Sequence, residues 1–405
     1  MVSGLALPIK SYAGTCSPSA TQGGRQTIQL GGDLVKNDDE RSCVALVLQG
    51  GGALGAYQGG VYQTLAKAGH LPDWIAGISI GAINAAIIAG NAPARRVDRL
   101  RAFWDLVSSS VTMPSPIHEG YLRSWFNEFS AGVAASTGVP GFFKPRFPGA
   151  MLALPGTLDA VSHYDVSPLR QTLLDLVDFE RLNSGETRLS VGAVNVATGN
   201  FVYFDTCDTT IGPEHIMASG ALPPAFPPVI IDGEPYWDGG LVSNTPLQYV
   251  LDSHRHGAIT IFQVDLFSAR GAMPKTMSEV AQREIDIRFS SRTRLNTDMQ
   301  KELQILRTAA SRLAAKLPED LRNDPDARLL AAHGCPGAVT IMQLINRSEA
   351  YESQSKGYDF SRYTTNGHWN AGAKDAEYSL AHRDWVKRKP HSEGIVTFDL
   401  AEGAS

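Results

Sequence analysis

The sequence predicts an α/β fold built on βαβ units, and three features carry that expectation. Cys43-Val44-Ala45-Leu46-Val47-Leu48 is an unbroken apolar run of strand length, as expected for a strand buried on both faces. It leads through Gln49-Gly50-Gly51-Gly52-Ala53-Leu54-Gly55 into a helix expected over 56–68. A second strand, around Trp74-Ile75-Ala76-Gly77, runs through Ile78-Ser79-Ile80-Gly81 into a helix of small apolar residues. Residues 258–264 form a third buried strand. Two strand–helix units in succession imply parallel strands joined by a right-handed crossover.

Composition narrows the function classes. At 405 residues the chain can hold one large α/β domain or two modest ones. A hydrophobic share of 43% beside 19% charged residues is that of a globular protein. A net charge of −5 gives no polybasic reason to expect nucleic acid as a partner. Cys16, Cys43, Cys207 and Cys335 lie far apart, which points to reduced thiols rather than a disulfide framework or a zinc site. There is no basic stretch followed by an apolar core at the N-terminus, and no run approaching the ~18–20 apolar residues of a membrane span. A soluble, cytoplasmic protein with no cofactor and no metal is expected.

In chain order, residues 1–40 are polar and aperiodic and read as a flexible tail. A polar helix follows over 94–107. Residues 108–164 hold Tyr121, Trp125, Phe126, Phe129, Phe142, Phe143 and Phe147 with Arg123, Lys144 and Arg146. A segment of that length without periodicity serves as a cap or lid, or packs as a satellite core. Ser167-Pro168 reads as the N-cap and first residue of a helix over 166–177. Residues 187–197 and 200–205 read as a hairpin about Thr198-Gly199. A short helix over 213–221 precedes the proline pairs at 223–224 and 227–228. Tyr236-Trp237 then leads to Asp238-Gly239-Gly240-Leu241, with a helix opened by Asn244-Thr245-Pro246. Met299, Leu303, Leu306, Ala310, Leu313 and Leu317 recur at helical spacing, so their face is expected to pack on the core. Lys301, Arg307, Arg312 and Lys316 occupy the polar face. Residues 338–345 read as a late strand, and 350–405 as a polar, helix-containing tail with Trp369 and Trp385.

The chemistry concentrates at Ser79. Gly77 and Gly81 bracket it between a strand and a helix, the G-x-S-x-G arrangement that holds a serine at a sharp turn above a helix N-terminus. A serine hydroxyl needs a base for its proton and donors for the oxyanion it creates. Gly50, Gly51 and Gly52 follow a buried strand, where consecutive amides can converge on one point. Among the ten histidines no motif singles out a base, and His215, His254, His256, His333, His368, His382 and His391 read as surface residues. Asp238 sits at a strand end before two glycines, where desolvation beside Ser79 would raise its pKa into the range of a useful base.

Gly50-Gly51-Gly52-Ala53-Leu54-Gly55, Gly77-Ile78-Ser79-Ile80-Gly81 and Asp238-Gly239-Gly240, in that order, resemble the motifs of the patatin-like phospholipases. The stretch from Ala218 to Pro228 resembles the short helix and proline-rich segment that precede the aspartate in that family. The resemblance covers roughly 43–265. It implies a three-layer α/β/α fold with a mostly parallel sheet, a catalytic domain over 41–270, and a helical C-terminal extension over 271–405 packed on it. It also implies that Ser79 is the nucleophile and Asp238 the base of a dyad without histidine. Gly50, Gly51 and Gly52 would line the oxyanion hole, and Gly55, Gly77, Gly81, Gly239 and Gly240 would be motif glycines. The implied activity is acyl-ester hydrolysis of the phospholipase A type, on lipid substrates. Many members carry Lys or Arg before the last glycine of the first motif, where this chain has Leu54, so the oxyanion is left to backbone donors. No acidic cluster resembles a calcium loop.

Three rivals stand beside this reading. Gly50-x-Gly52-x-x-Gly55 fits a dinucleotide fingerprint, but Asp73 precedes the second strand instead of ending it. An acyltransferase would use the same dyad with another acceptor, and a silent scaffold would keep the fold without the chemistry. Transient contact with a membrane surface is expected of a lipid hydrolase, through the 108–147 segment or the 299–317 helix.

Overall fold

The computed structural model describes residues 42–112, 121–254, 257–290, 293–333, 337–347, 356–389 and 394–401. The tail expected over 1–40 lies outside them. The strands are β1 (Cys43–Leu48), β2 (Trp74–Gly77), β3 (Lys144–Pro145), β4 (Tyr164–Asp165), β5 (Arg188–Asn195), β6 (Phe201–Asp205), β7 (Val229–Ile231), β8 (Glu234–Asp238), β9 (Ile259–Asp265), β10 (Val339–Ile345) and β11 (Ile395–Asp399). The α-helices are α1 (Ala56–Lys67), α2 (Ile80–Ala89), α3 (Arg96–Val107), α4 (Tyr121–Thr137), α5 (Ser167–Leu176), α6 (Phe179–Leu182) and α7 (Pro213–Ser219). They continue with α8 (Leu247–Ser253), α9 (Met277–Phe289), α10 (Thr293–Ala314), α11 (Pro325–His333), α12 (Arg362–Ala381) and α13 (Arg383–Val386).

One sheet runs β11-β10-β9-β1-β2-β5-β8-β7, with β6 also paired to β5. From β11 to β5 every pairing is parallel, while β6, β7 and β8 are antiparallel. The apolar run of β1 serves both faces: Leu46 and Leu48 point into a core with α1, α2 and α3, and Ala45 and Val47 into one with α8. The result is a mixed α/β fold with helices on both sides of a mostly parallel sheet. The C-terminal third adds two strands to that same sheet and packs α12 along α1. Close approach there requires small residues, because a Cβ on Gly60 would collide with the Trp369 carbonyl and one on Gly372 with that of Tyr57.

Several local expectations change. Within 108–164 the chain forms helix α4, which the sequence reading did not anticipate. Phe142 and Phe143 are buried, packed on buried Phe360 and half-buried Phe226, so this part is core. Ser167 is the first residue of α5 and not its cap. Its N–H and hydroxyl both donate to Asp165, at 2.8 Å each. The leucine face of α10 does not pack on the body: Leu306 and Leu313 are exposed, and Gln304 and Thr308 turn inward. Residues 395–399, read as polar tail, form edge strand β11. No helix among the described residues is long and apolar enough to cross a membrane.

Candidate active site

Ser79 sits between β2 and α2 with φ 55° and ψ −123°. Among described residues other than glycine, only Ser79 and Asp232 have positive φ. The surroundings hold this conformation in place. The Ser79 N–H donates to Ser219 Oγ at 3.0 Å, and that hydroxyl donates to the Gly192 carbonyl at 2.7 Å. A Cβ on Gly77 would collide with the Gly81 carbonyl, and one on Gly81 with that of Leu48. The bracketing glycines therefore let the turn close tightly against β1.

Topology brings Asp238 to the same point. Strand β5 has two edges and three partners. β6 pairs along residues 190–194, a stretch that overlaps the registers of both β2 and β8. β2 and β8 must therefore share the other edge. β2 ends opposite Val191 running parallel to β5, and β8 ends opposite Ala193 running antiparallel. Their C-terminal ends converge beside Gly192, one carrying on to Ser79 and the other ending in Asp238.

The Ser79 side chain lies close enough to the Asp238 carboxylate to favour its ionised form. The Gly240 N–H donates to Asp238 Oδ1 at 2.7 Å, and the Asp238 N–H donates to the Ala221 carbonyl. Asp238 is only 2% exposed. Burial pushes its carboxyl up to about 7, against the opposing pull of the nearby Ser79 side chain and of the Gly240 N–H. Gly239 packs on the Gly192 carbonyl, in the turn that follows the carboxylate.

The glycine loop lies against Ser79. A Cβ on Gly50 would stand 3.0 Å from Ser79 Cβ. Its amide, expected to face the oxyanion, instead donates to the Asn244 carbonyl at 3.2 Å. That corrects the expected set of three donors. The Gly51 and Gly52 amides carry no partner among the described residues, and they begin a short 3₁₀ turn. Gly55 closes the motif, pressed on Ile80 with its carbonyl accepting from Asn84 Nδ2 at 3.0 Å.

Residues outside the expected set hold this loop. Asn244 Nδ2 donates to the Gly50 carbonyl and to the Phe289 carbonyl, both at 3.0 Å. Gln49, fully buried, donates to Thr245 Oγ1 at 2.9 Å and to the Phe289 carbonyl at 3.1 Å. Behind the loop, Gly357 backs Gly52, and buried Lys356 pairs with buried Asp286 at 2.8 Å. Signals for Ser219 and Asn244 lay in the sequence, inside the proline-rich stretch and six residues after Asp238. No periodicity could mark Phe289, which acts through its backbone.

Other candidate groups serve elsewhere. His215 and His368 are buried, not surface residues. His215 Nδ1 accepts the Gly212 N–H at 2.9 Å, and its ring packs edge-on against Phe204, so it caps α7. The Cys43 thiol is pushed up to about 12 by burial, which leaves it a poor nucleophile. Cys16, Cys335, His256 and His391 lie outside the described residues. Among the described residues no group of three or more His, Cys, Asp or Glu is arranged to hold a metal ion.

A family model described as patatin-like phospholipase matches residues 46–251, and a second, described as patatin phospholipase, matches residues 287–392. No curated protein matches the chain. Among solved structures, VipD from Legionella pneumophila is 14% identical with a TM-score of 0.37, covering 83% of this chain and 66% of that one. Human GIVD cytosolic phospholipase A2 is 11% identical with a TM-score of 0.35, covering 83% of this chain and 59% of that one. A chain of the full-length SpcU–ExoU complex from Pseudomonas aeruginosa is 16% identical with a TM-score of 0.27, covering 87% and 76%. The chain spans less than two thirds of the length of the first two.

Proposed function

The chain belongs to the patatin-like phospholipase family, and we propose that it is a serine acyl-ester hydrolase of the phospholipase A type working through a Ser79–Asp238 dyad. One observation carries the reading. A serine on a strained turn lies beside a buried carboxylate pushed up to about 7, next to amides that have no partner among the described residues. An ordinary carboxylate is too weak a base at neutral pH to help a serine, and desolvation removes that deficit.

In the proposed reaction Ser79 Oγ attacks the ester carbonyl while its proton passes to Asp238. The Gly51 and Gly52 amides hold the oxyanion, a role in which each donor typically contributes about 10²–10³ in rate. Collapse expels the alcohol, which takes the proton from the now neutral Asp238 carboxyl. A water then attacks the acyl-enzyme, gives its proton to Asp238, and releases the fatty acid as Ser79 is restored. Lipid esters are presented at an aggregate surface, so the protein works in transient contact with one.

The test is hydrolysis of short p-nitrophenyl esters and of phospholipid, with free fatty acid and lysolipid measured as products. Ser79→Ala and Asp238→Asn are each expected to lose at least about 10⁴ in kcat/KM with circular dichroism unchanged. Near-wild-type turnover from either variant would remove the dyad.

A further inference from the structure

Between β3 and β4 the chain leaves a row of large apolar side chains outside the fold. Phe147 is 100% exposed, Met151 99%, Leu152 80% and Leu154 76%. Single exposed leucines are ordinary, but four large side chains within eight residues are not. No residue between 147 and 158 is charged. The two charged residues flanking that stretch, Arg146 and Asp159, neutralise each other in an ion pair. Gly149, Pro155 and Gly156 interrupt the row, so apart from the single 3₁₀ turn Ala150–Leu152 it makes neither an α-helix face nor a strand edge.

The foot of the loop is fixed to the wall of the site. The His163 N–H donates to the Pro224 carbonyl at 3.1 Å and the Tyr164 N–H to that of Ala225 at 3.0 Å. Tyr164 packs against Phe143 at 4.8 Å between ring centres and near Phe226, in the segment that leads into β7 and β8. Tyr358 is within electrostatic reach of both ends: after burial, the Asp238 charge raises its phenol, and Tyr358 in turn raises that of Tyr164. The segment leading into β7 and β8 also carries the Ala221 carbonyl that accepts the Asp238 N–H at 3.0 Å, so residues 221–225 join the loop foot to the carboxylate.

We propose that residues 147–154 are an insertion loop that seats among the acyl chains of a lipid surface and sets the mouth of the Ser79 site against it. The proposal rests on the lipid-ester reading above. A fluid acyl layer accepts protruding side chains of any arrangement, whereas a protein partner needs a shaped and fixed face. With its charges cancelled, the loop binds by apolar burial, so binding persists in high salt.

The experiment uses phosphatidylcholine vesicles and the full chain carrying Ser79→Ala, so that binding needs no turnover. Phe147→Ser/Met151→Ser/Leu152→Ser is expected to weaken co-sedimentation by at least about 100-fold. Leu306→Ser/Leu313→Ser, on the exposed face of α10, is expected to bind as the parent does. In the otherwise wild-type chain the loop variant keeps its kcat/KM on a soluble short-chain ester and loses hydrolysis of vesicles. Equal binding by the loop variant, or loss of parent binding in high salt, would overturn the proposal. So would a parent dimer that the loop variant dissolves, since the loop would then cover a second copy. An inactive wild type on the soluble ester would sink the hydrolase reading and leave the vesicle measurement standing.

Discussion

The inner wall of the site and the loop at its mouth treat their side chains in opposite ways. At the wall, Gln49 is fully buried and Asp238 nearly so, and Gln49, Asn244, Ser219 and the Gly240 amide all have partners within 3.2 Å. At the mouth, Phe147 and Met151 touch little beyond solvent. A change at the wall should therefore disturb chemistry and stability together. A change at the mouth should disturb access to lipid alone. The lesson is that exposure, not residue type, separates what holds this fold from what it offers to a partner.

The largest effect expected at the wall is on pH dependence. In the proposed dyad Asp238 must be ionised to take the serine proton, and its carboxyl is pushed up to about 7. Thus kcat/KM on a soluble ester should rise about tenfold per pH unit below that value and level above it. Stability should run the other way. The folded value lies above the unfolded one of about 3.9, so the fold favours the protonated form, and this contribution fades as pH climbs from about 4 to about 7. Above that range Asp238→Asn should be inactive yet more heat-stable than wild type, by on the order of a few kcal/mol. A variant no more stable than wild type there would show that burial does not govern this carboxyl.

Next comes the ion pair behind the glycine loop. Lys356→Ala would leave Asp286 buried without its cation, a loss of about 3–5 kcal/mol in urea unfolding. Because Gly357 backs Gly52, kcat should also fall. A variant of normal stability would mean that water replaces the lysine at no cost.

Asn244→Ala should do less: about 1–3 kcal/mol of stability, since the Gly50 and Phe289 carbonyls lose a donor. Its kinetic signature should be lower kcat at nearly unchanged KM, because Gly50 anchors the loop that carries the proposed oxyanion donors. Partial recovery in Asn244→Ser would separate hydrogen bonding from packing. The smallest effect belongs to the mouth: Phe147→Ser/Met151→Ser/Leu152→Ser should shift unfolding by no more than about 0.5 kcal/mol per position. A larger loss would mean that the loop belongs to the core.

What the sequence reveals tracks how local each feature is. β2, Ser79 and α2 lie within sixteen consecutive residues, so strand, turn and helix signals adjoin, and the strained serine was legible. The location of Asp238 could be read from its turn glycines and the order of the motifs. Its meeting with Ser79 could not, because that depends on β2 and β8 sharing an edge of β5. The engagement of the Gly50 amide by Asn244 was hidden for the same reason. Helix α4 escaped notice because Gly132 and its aromatic residues obscure the periodicity. The leucine stripe of α10 misled because a helical period shows which residues share a face, not what covers it.

The central claim is that Asp238 activates Ser79. Its most direct test is the rate at which a fluorophosphonate modifies the folded protein above pH ~7, where a carboxyl of this kind is ionised, followed by peptide mass spectrometry in wild type and Asp238→Asn. The expected result is a single adduct on Ser79 that forms at least about 100-fold more slowly in the variant. Equal rates in the two proteins, or an adduct on any other residue, would contradict it.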